Sequence, residues 1–372
     1  MADGTGTCPG RVGRCHILLK PRFCGVFFCP AMSTTMKRIS FFIIAISVFC
    51  SFFQNANHKD TVQLFHLNGS AQGTSYSIKY LHTFKSLDSV ELEILFESVD
   101  RSLSLYRTDS KIMAFNKSHS GLKIDSNFRE VIKLSTYISK ESNGAFDITS
   151  RSVSQLWGFG SKSKVSRTPS KSEIDNVLKY TGYGLLQLKM DSLLKGHPSV
   201  QIDCDGIAQG YTVDLISELL KKKGISDYLI ELGGEIRSSG KKTDGSLWQI
   251  QLPGAEPRIV SMPSQGLSIT TSGSYSKYKK IGDQYFSHII NPITGRPVNN
   301  NIISVTVAAT NTAMADGFDN AFMVWGVDKT MDYLKSDKML GVSFLYKRND
   351  GSIADTCNDM FQKLLTKDLQ PR

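Results

Sequence analysis

The chain has 372 residues, 40% hydrophobic and 21% charged, enough apolar material for a sizeable core in one large domain or two closely packed halves. Thirty glycines, eleven prolines and 10% aromatic residues exclude collagen, coiled coil and wholesale disorder. A formal charge of +10 permits anionic substrates or a membrane surface; with no Lys/Arg-rich run interleaved with aromatics, it does not point to nucleic acid.

In chain order, the first segment reads as leader rather than fold. Residues 1–35 are an upstream extension ahead of a second start at Met36. Five of the seven cysteines precede residue 60, and Cys24 and Cys29 have no second pair at zinc-finger spacing. Residues 36–57 have the layout of an export signal and linker: Lys37 and Arg38, then an apolar run from Ile39 to Phe53 that is short for a membrane span. Cys50 closes that run. It is read as a lipid-attachment site rather than an ordinary apolar cysteine because no small-x-small cleavage site follows, although Phe49 is bulky for a lipobox. The body, residues 58–372, is expected to act outside the cytoplasm.

Within the body, Val62 to Leu67 and Thr74 to Tyr80 read as strands of a hairpin turning around Asn68-Gly69. Ser89 to Leu105 and Phe128 to Ser142 carry apolar residues at helical spacing, the second ending at Asn143-Gly144. A Ser/Lys-rich loop leads to a third helix, Ser172 to Tyr180. A strand is expected from Val200 to Cys204, then a helix from Gly206 to Lys223 stopped by Gly224. Further strands are Tyr228 to Leu232, Trp248 to Leu252, Leu267 to Thr271, Tyr285 to Ile290 and Ile302 to Ala308. A helix, Ala313 to Val324, precedes a last strand at Val342 to Tyr346. Strands and helices mix without regular alternation, so the fold class is α+β in a single domain.

Several junctions carry more Gly, Asp, Asn and Thr than a core needs. Asp203 to Tyr211 puts Gly206 and Gly210 where backbone can approach a phosphate at a helix start, or where a strand-to-helix turn simply needs capping. Leu232-Gly233-Gly234-Glu235 fits a bulge or tight turn, and Thr270 to Tyr275 fits a polar pocket wall or a hydrogen-bonded turn. His288 stands at a strand end before a rigid turn holding Pro292, Gly295 and Pro297, placed to act as acid or base, or as a structural histidine. Asp316 and Asn320, four apart, share one helix face and suit Mg²⁺ or Ca²⁺ rather than zinc; an acidic helix start is the plainer reading.

Taken in order, these segments resemble the ApbE family of FAD:protein FMN transferases over nearly all of the chain from about residue 60. The blocks are Gly73-Thr74-x-Tyr76, Leu105-Tyr106 to Asp109-Ser110 with Phe115-Asn116, Gly144-Ala145-Phe146-Asp147, Trp157-Gly158-Phe159-Gly160, Asp203 to Asp214 and Leu232-Gly233-Gly234-Glu235. Thr271-Ser272-Gly273-x-Tyr275, His288 to Pro297, and Ser304-Val305-Thr306-Val307 followed by Ala315-Asp316 complete the series.

The resemblance implies an α+β domain with FAD in a cleft, on the periplasmic side of the membrane and often lipid-anchored. It implies cleavage of FAD and attachment of FMN to a Thr or Ser of a flavin-carrying subunit of a membrane redox complex, with AMP leaving. Carried over by motif position, Mg²⁺ ligands are Asp316, the amide oxygen of Asn320, and backbone oxygens of Gly206 and Asp319. FAD contacts are Gln72, Tyr106, Ala145, Phe146, Asp147, Asp203, Gln209 and Ile290, and His288 stands near the reacting phosphate with Asp316 as the second catalytic residue. Gln209 departs from a family lysine, removing a cation expected beside the pyrophosphate; Asn320 and Gln72 replace a threonine and a methionine. Two alternatives keep the same cleft: an Mg²⁺-dependent FAD pyrophosphatase giving FMN and AMP, and a non-enzymatic FAD-binding lipoprotein. Cys204 is read as a small buried residue, not a nucleophile.

Overall fold

Eight antiparallel strands form the main sheet in chain order: Gln63–Ala71, Thr74–His82, Tyr228–Leu232, Glu235–Ser239, Leu267–Gly273, Ile302–Ala309, Gly341–Lys347 and Ile353–Cys357. The computed structural model describes residues 61–160, 165, 167–252, 258–274, 278–281, 284–337 and 339–366. Residues 1–60, on which the expected upstream extension and the expected leader with Cys50 fall, and Tyr275 lie outside them. No helix of the described residues is long and apolar enough to cross a membrane.

Burial explains the sheet's sequence pattern. The strand Ile302–Ala309 is covered on both faces: Val305 and Val307 join a core with Phe318 and Phe322, while Ala308 joins another with Trp248, Ile250 and Phe361. A strand buried on both sides reads as a nearly continuous apolar run, as this one does. Two helices, Ala208–Lys222 and Thr312–Trp325, pack on each other and on the sheet. Gly210 permits their approach, because a Cβ there would lie 2.7 Å from the Thr312 carbonyl oxygen and 2.9 Å from Asp316 Cβ.

The long connection between the second and third strands carries the remaining site-forming elements. Helix Ser89–Leu103 starts in a capping box, with Asp88 accepting from Val90 N at 3.2 Å and Glu91 accepting from Asp88 N at 3.1 Å. Helix Ser126–Glu141 packs on Thr312–Trp325 and ends where Asn143 and Gly144 take positive φ of 49° and 81°. The mixed helices and antiparallel sheet match the α+β expectation.

Three expected elements differ. Tyr285 to Ile290 is not one strand but two, Gln284–Ser287 and Ile290–Asn291, broken at His288, where Ile289 N donates to Ser287 Oγ at 3.2 Å rather than to a strand partner. The first hairpin turns at Gln72-Gly73, with φ of 52° and 77°, and Asn68-Gly69 lies inside the strand. Register is set by burial: this pairing puts Leu67 opposite Ile78 in one core and lays the Tyr76 ring over Gly69. Val200 to Cys204 forms no strand among the described residues; the Asn116 side chain accepts from Ile202 N at 2.7 Å and donates to Ile202 O at 2.9 Å. One amide side chain thus does what a neighbouring strand would do. The helix Lys111–Lys117, the strands Glu235–Ser239 and Ile353–Cys357 and the helix Val327–Leu334 were not anticipated from sequence pattern.

Candidate active site

Two cavities adjoin at Tyr106 and Asp205. The first, about 420 Å³, is walled by Ala145, Phe146, Asp147, Arg151, Asp203, Gly206, Ser272, His288, Ile290 and Asn320. The second, about 730 Å³, is walled by Gln72, Asp100, Ser104, Arg107, Gln209 and Gly233. Both are of the size that small organic ligands occupy, roughly 300–1,000 Å³.

Local structure explains each wall. After the helix stop at Gly144, whose N–H donates to Ser139 O at 2.7 Å, the chain reverses and Phe146 N reaches Ser142 Oγ at 3.1 Å. Asp147 then fastens two loops: Oδ1 accepts from Thr149 N at 2.8 Å and Thr149 Oγ1 at 2.6 Å, and Oδ2 accepts from Tyr183 N at 2.7 Å. Both its oxygens are engaged by the protein, so it shapes the wall. The Asp203 loop is pinned by Asp203 N donating to Ile148 O at 2.8 Å, and Asp205 N donates to Asp203 Oδ1 at 2.9 Å. His288 stands between the strands Gln284–Ser287 and Ile290–Asn291. The turn that follows closes through Asn291, which accepts from Ile293 N at 2.9 Å and, at its carbonyl, from Gly295 N at 2.9 Å.

Under the first cavity lies a cluster of oxygens. The Nδ2 of Asn320 donates to Asp316 O at 2.9 Å and Asp319 Oδ1 at 3.1 Å, and lies 3.5 Å from Gly206 O. Asp316 Oδ2 accepts from Gly210 N at 3.0 Å, and Asp319 Oδ1 also accepts from Ser272 Oγ at 2.8 Å. The four residues expected around a metal are therefore neighbours. Asn320 presents its NH₂ rather than its oxygen, because three acceptors surround that atom. Asp319 turns its carboxylate toward Asn320 Nδ2 and Ser272 Oγ.

The electrostatics of this cluster are uncompensated. Burial raises the Asp316 carboxyl well above the usual range, with the charges of Glu235 and Asp319 adding to it. Asp319 is raised well above its range too, again chiefly by burial. Glu235 Oε2 is buried without a hydrogen-bond partner, and burial pushes that carboxyl up to about 7. Among the described residues no ion pair engages any of the three. Gln209 adjoins them: a Cβ on Gly233 would lie 3.2 Å from both Gln209 Nε2 and Glu235 Oε2. At that place glutamine offers an amide, and the acids keep no counter-ion.

The structure thus gathers Tyr106, Ala145, Phe146, Asp147, Asp203, Gly206, His288, Ile290 and Asn320 around one cavity. Asp316 and Asp319 lie beneath it, while Gln72 and Gln209 belong to the adjoining one. Sequence reasoning missed Arg151. Its Nη1 lies 3.8 Å from Asp203 Oδ2 with a side chain only 15% exposed, and it is the one Lys or Arg among the described residues lining the first cavity. Its only signal in the sequence is position, four residues after Asp147. Cys204 is buried, and burial raises its thiol well above the ordinary value, which removes it as a nucleophile.

A cleft of this kind, with hard oxygen donors below and a histidine and an arginine on its walls, defines a protein that handles a phosphorylated ligand. The family model described as the ApbE family matches residues 72–344, and the chain belongs to that family. An FAD:protein FMN transferase of Vibrio cholerae is 32% identical over 312 residues, covering 81% of this chain and 93% of that protein. The Escherichia coli K12 protein of the same name is 31% identical over 331 residues, 84% of this chain and 94% of its own. Among solved structures, the flavin transferase ApbE of Vibrio cholerae superimposes with a TM-score of 0.74 at 31% identity, over 82% of this chain and all of that one. The apo form of the Pseudomonas stutzeri flavinyl transferase ApbE gives 0.76 at 30% identity, over 83% and 98%.

Proposed function

We propose that this chain transfers FMN from FAD to a Ser or Thr hydroxyl of an acceptor protein and releases AMP. One observation carries the reading: the residues that the family resemblance marks, scattered from Gln72 to Asn320, converge on two adjoining cavities above a single oxygen cluster. In the step itself, the acceptor oxygen bonds to the FMN phosphorus. The bond from that phosphorus to the bridging oxygen breaks, and its electron pair leaves with AMP. The acceptor proton passes to an imidazole nitrogen of His288, which lines the cavity where the phosphate would react. Arg151, which lines the first cavity, supplies a cation for the ligand's negative charge.

The residues present fit Mg²⁺. Their donors are oxygens, and two buried carboxylates await a positive charge. Asp316, Asp319 and the Gly206 carbonyl would hold the ion, with the Asn320 amide turned over to offer oxygen. When bound, Mg²⁺ neutralises pyrophosphate charge. The leader from Met36 to Phe53, with Cys50 as lipid anchor, supports action at the outer face of the cytoplasmic membrane, on an acceptor subunit of a membrane redox complex.

The test uses the full chain, freed of flavin and incubated with FAD, Mg²⁺ and such an acceptor. Transfer predicts that the acceptor gains the mass of FMN, that EDTA abolishes the gain, and that His288→Ala slows it by about 10²–10⁴-fold. FMN and AMP released in solution with no acceptor labelled would mean a pyrophosphatase. FAD bound but intact throughout would mean a binding protein.

A further inference from the structure

A third cavity adjoins the first at the segment that joins the strands Gln284–Ser287 and Ile290–Asn291. It measures about 560 Å³ and shares one residue, Ile289, with the first cavity: Ser287 and Ile289 line this side, and His288 and Ile289 line the flavin side. Its floor is apolar and buried, from Trp157, Ile289, Ile302 and Met323. The floor is held rigidly, since Trp157 Nε1 donates to Gly295 O at 2.8 Å and its ring tilts against Phe286 at 5.1 Å.

Three features of the walls point to an extended polypeptide as the occupant. The strand Gln284–Ser287 lines the cavity and pairs only with Tyr278–Ile281 among the described residues, which leaves one of its backbone edges without a strand partner. Such an edge is what an added strand pairs with. On the facing wall Asn299 to Asn301 present amides; Asn300 and Asn301 are anchored, donating to Met323 O and Lys347 O at 2.8 and 2.9 Å. Charge gives the third feature. The lining includes Arg296 and Lys347, both exposed and with no ion pair among the described residues, and it includes no carboxylate. That is the opposite of the acid-rich floor beneath the flavin side.

We propose that this cleft is the docking groove for the acceptor polypeptide: an extended, acidic segment that pairs along Gln284–Ser287. Its carboxylates meet Arg296 and Lys347, and its hydroxyl is delivered past Ile289 to His288. The assignment rests on the transferase reading and specifies its second substrate.

The experiment compares the full chain with R296E, K347E and the double variant, using as probe the flavin-carrying subunit of a membrane redox complex that the unaltered chain labels. Acceptor KM should rise by about tenfold in the double variant, with its dependence on salt flattened, while FAD Kd and the rate of FAD cleavage without acceptor stay within about twofold. Acid-to-Lys changes beside the labelled hydroxyl should weaken labelling by the unaltered chain and restore part of it for the double variant. An unchanged acceptor KM in the double variant, or an equal loss of FAD binding, overturns the groove while leaving the transferase intact. If the unaltered chain cleaves FAD but labels no acceptor, the transferase reading fails and the groove fails with it.

Discussion

The helix pair Ala208–Lys222 and Thr312–Trp325 buries carboxylates at two places, and they are treated in opposite ways. Asp214 is saturated. Its Oδ1 accepts from Arg237 Nη1 at 2.9 Å, Thr312 N at 2.9 Å and Thr312 Oγ1 at 2.8 Å, and its Oδ2 accepts from Ala313 N at 3.0 Å. It caps the second helix with the first and draws in the sheet through Arg237, beside the ordinary cap at Asn311, which accepts from Met314 N. One turn further along the second helix, Asp316 and Asp319 are 4% and 2% exposed and face Glu235 with no cation. A fold that satisfies the largely buried Asp214 so completely leaves Asp316 and Asp319 of the same helix pair, and Glu235 of the strand Glu235–Ser239, without a cation among the described residues. The difference marks where an external charge belongs, because a buried carboxylate without a cation must take up a proton or be compensated by a bound ligand's charge.

Four changes would break or sharpen that contrast. The largest effect is expected from Asp316→Asn, which should lower acceptor labelling by about 10³-fold while leaving the metal-free melting temperature equal or higher, since it removes a buried charge. Asp214→Ala should do the reverse. It strands Arg237 and two helix N–H groups, costs about 3–5 kcal/mol in denaturant unfolding, and leaves the labelling rate of the folded fraction nearly unchanged. Equal loss of activity in both variants would erase the distinction.

Glu235→Gln tests the unbalanced side by pH. The folded carboxyl is raised to about 7 from an ordinary value of 4.5, so its favourable contribution is full below that lower value and fades as pH rises through 7. In EDTA, the variant should match the parent at pH 4 and exceed it at pH 8 by on the order of 1–3 kcal/mol, read from chemical melts. A constant offset across that range would mean that Glu235 does not titrate there. The smallest effect belongs to Arg151→Ala: about tenfold weaker FAD binding by fluorescence titration, with little change in stability, because its partner Asp203 is 3.8 Å away.

Part of this site was legible before any coordinates. Asn143-Gly144 announced the helix stop that aims Ala145-Phe146 into the cavity, and the i, i+4 spacing of Asp316 and Asn320 announced a shared face. Other parts were hidden for identifiable reasons. The Asn-Gly pair at 68–69 is a strong local turn signal, yet burial of Leu67, Ile78 and Tyr80 moved the turn to Gln72-Gly73. Arg151 carries no pattern because its role depends on where the loop of Asp203 arrives from 52 positions further along the chain. The orientation of the Asn320 amide followed from three acceptors, one of which, Gly206 O, is 114 residues distant in sequence.

The sequence by itself determined the family, the longer helices and two of their stops, most main-sheet strands and which residue types carry the chemistry. Those are properties of neighbours a few positions apart, where propensity, periodicity and motif order act directly. Tertiary structure alone decided the rest: which acids are paired and which are left bare, which atom of Asn320 faces the oxygens, and that two cavities meet at Tyr106 while a third abuts the first of them at Ile289. Charge balance and cavity shape are sums over groups brought together by packing, and no local stretch of chain contains those sums.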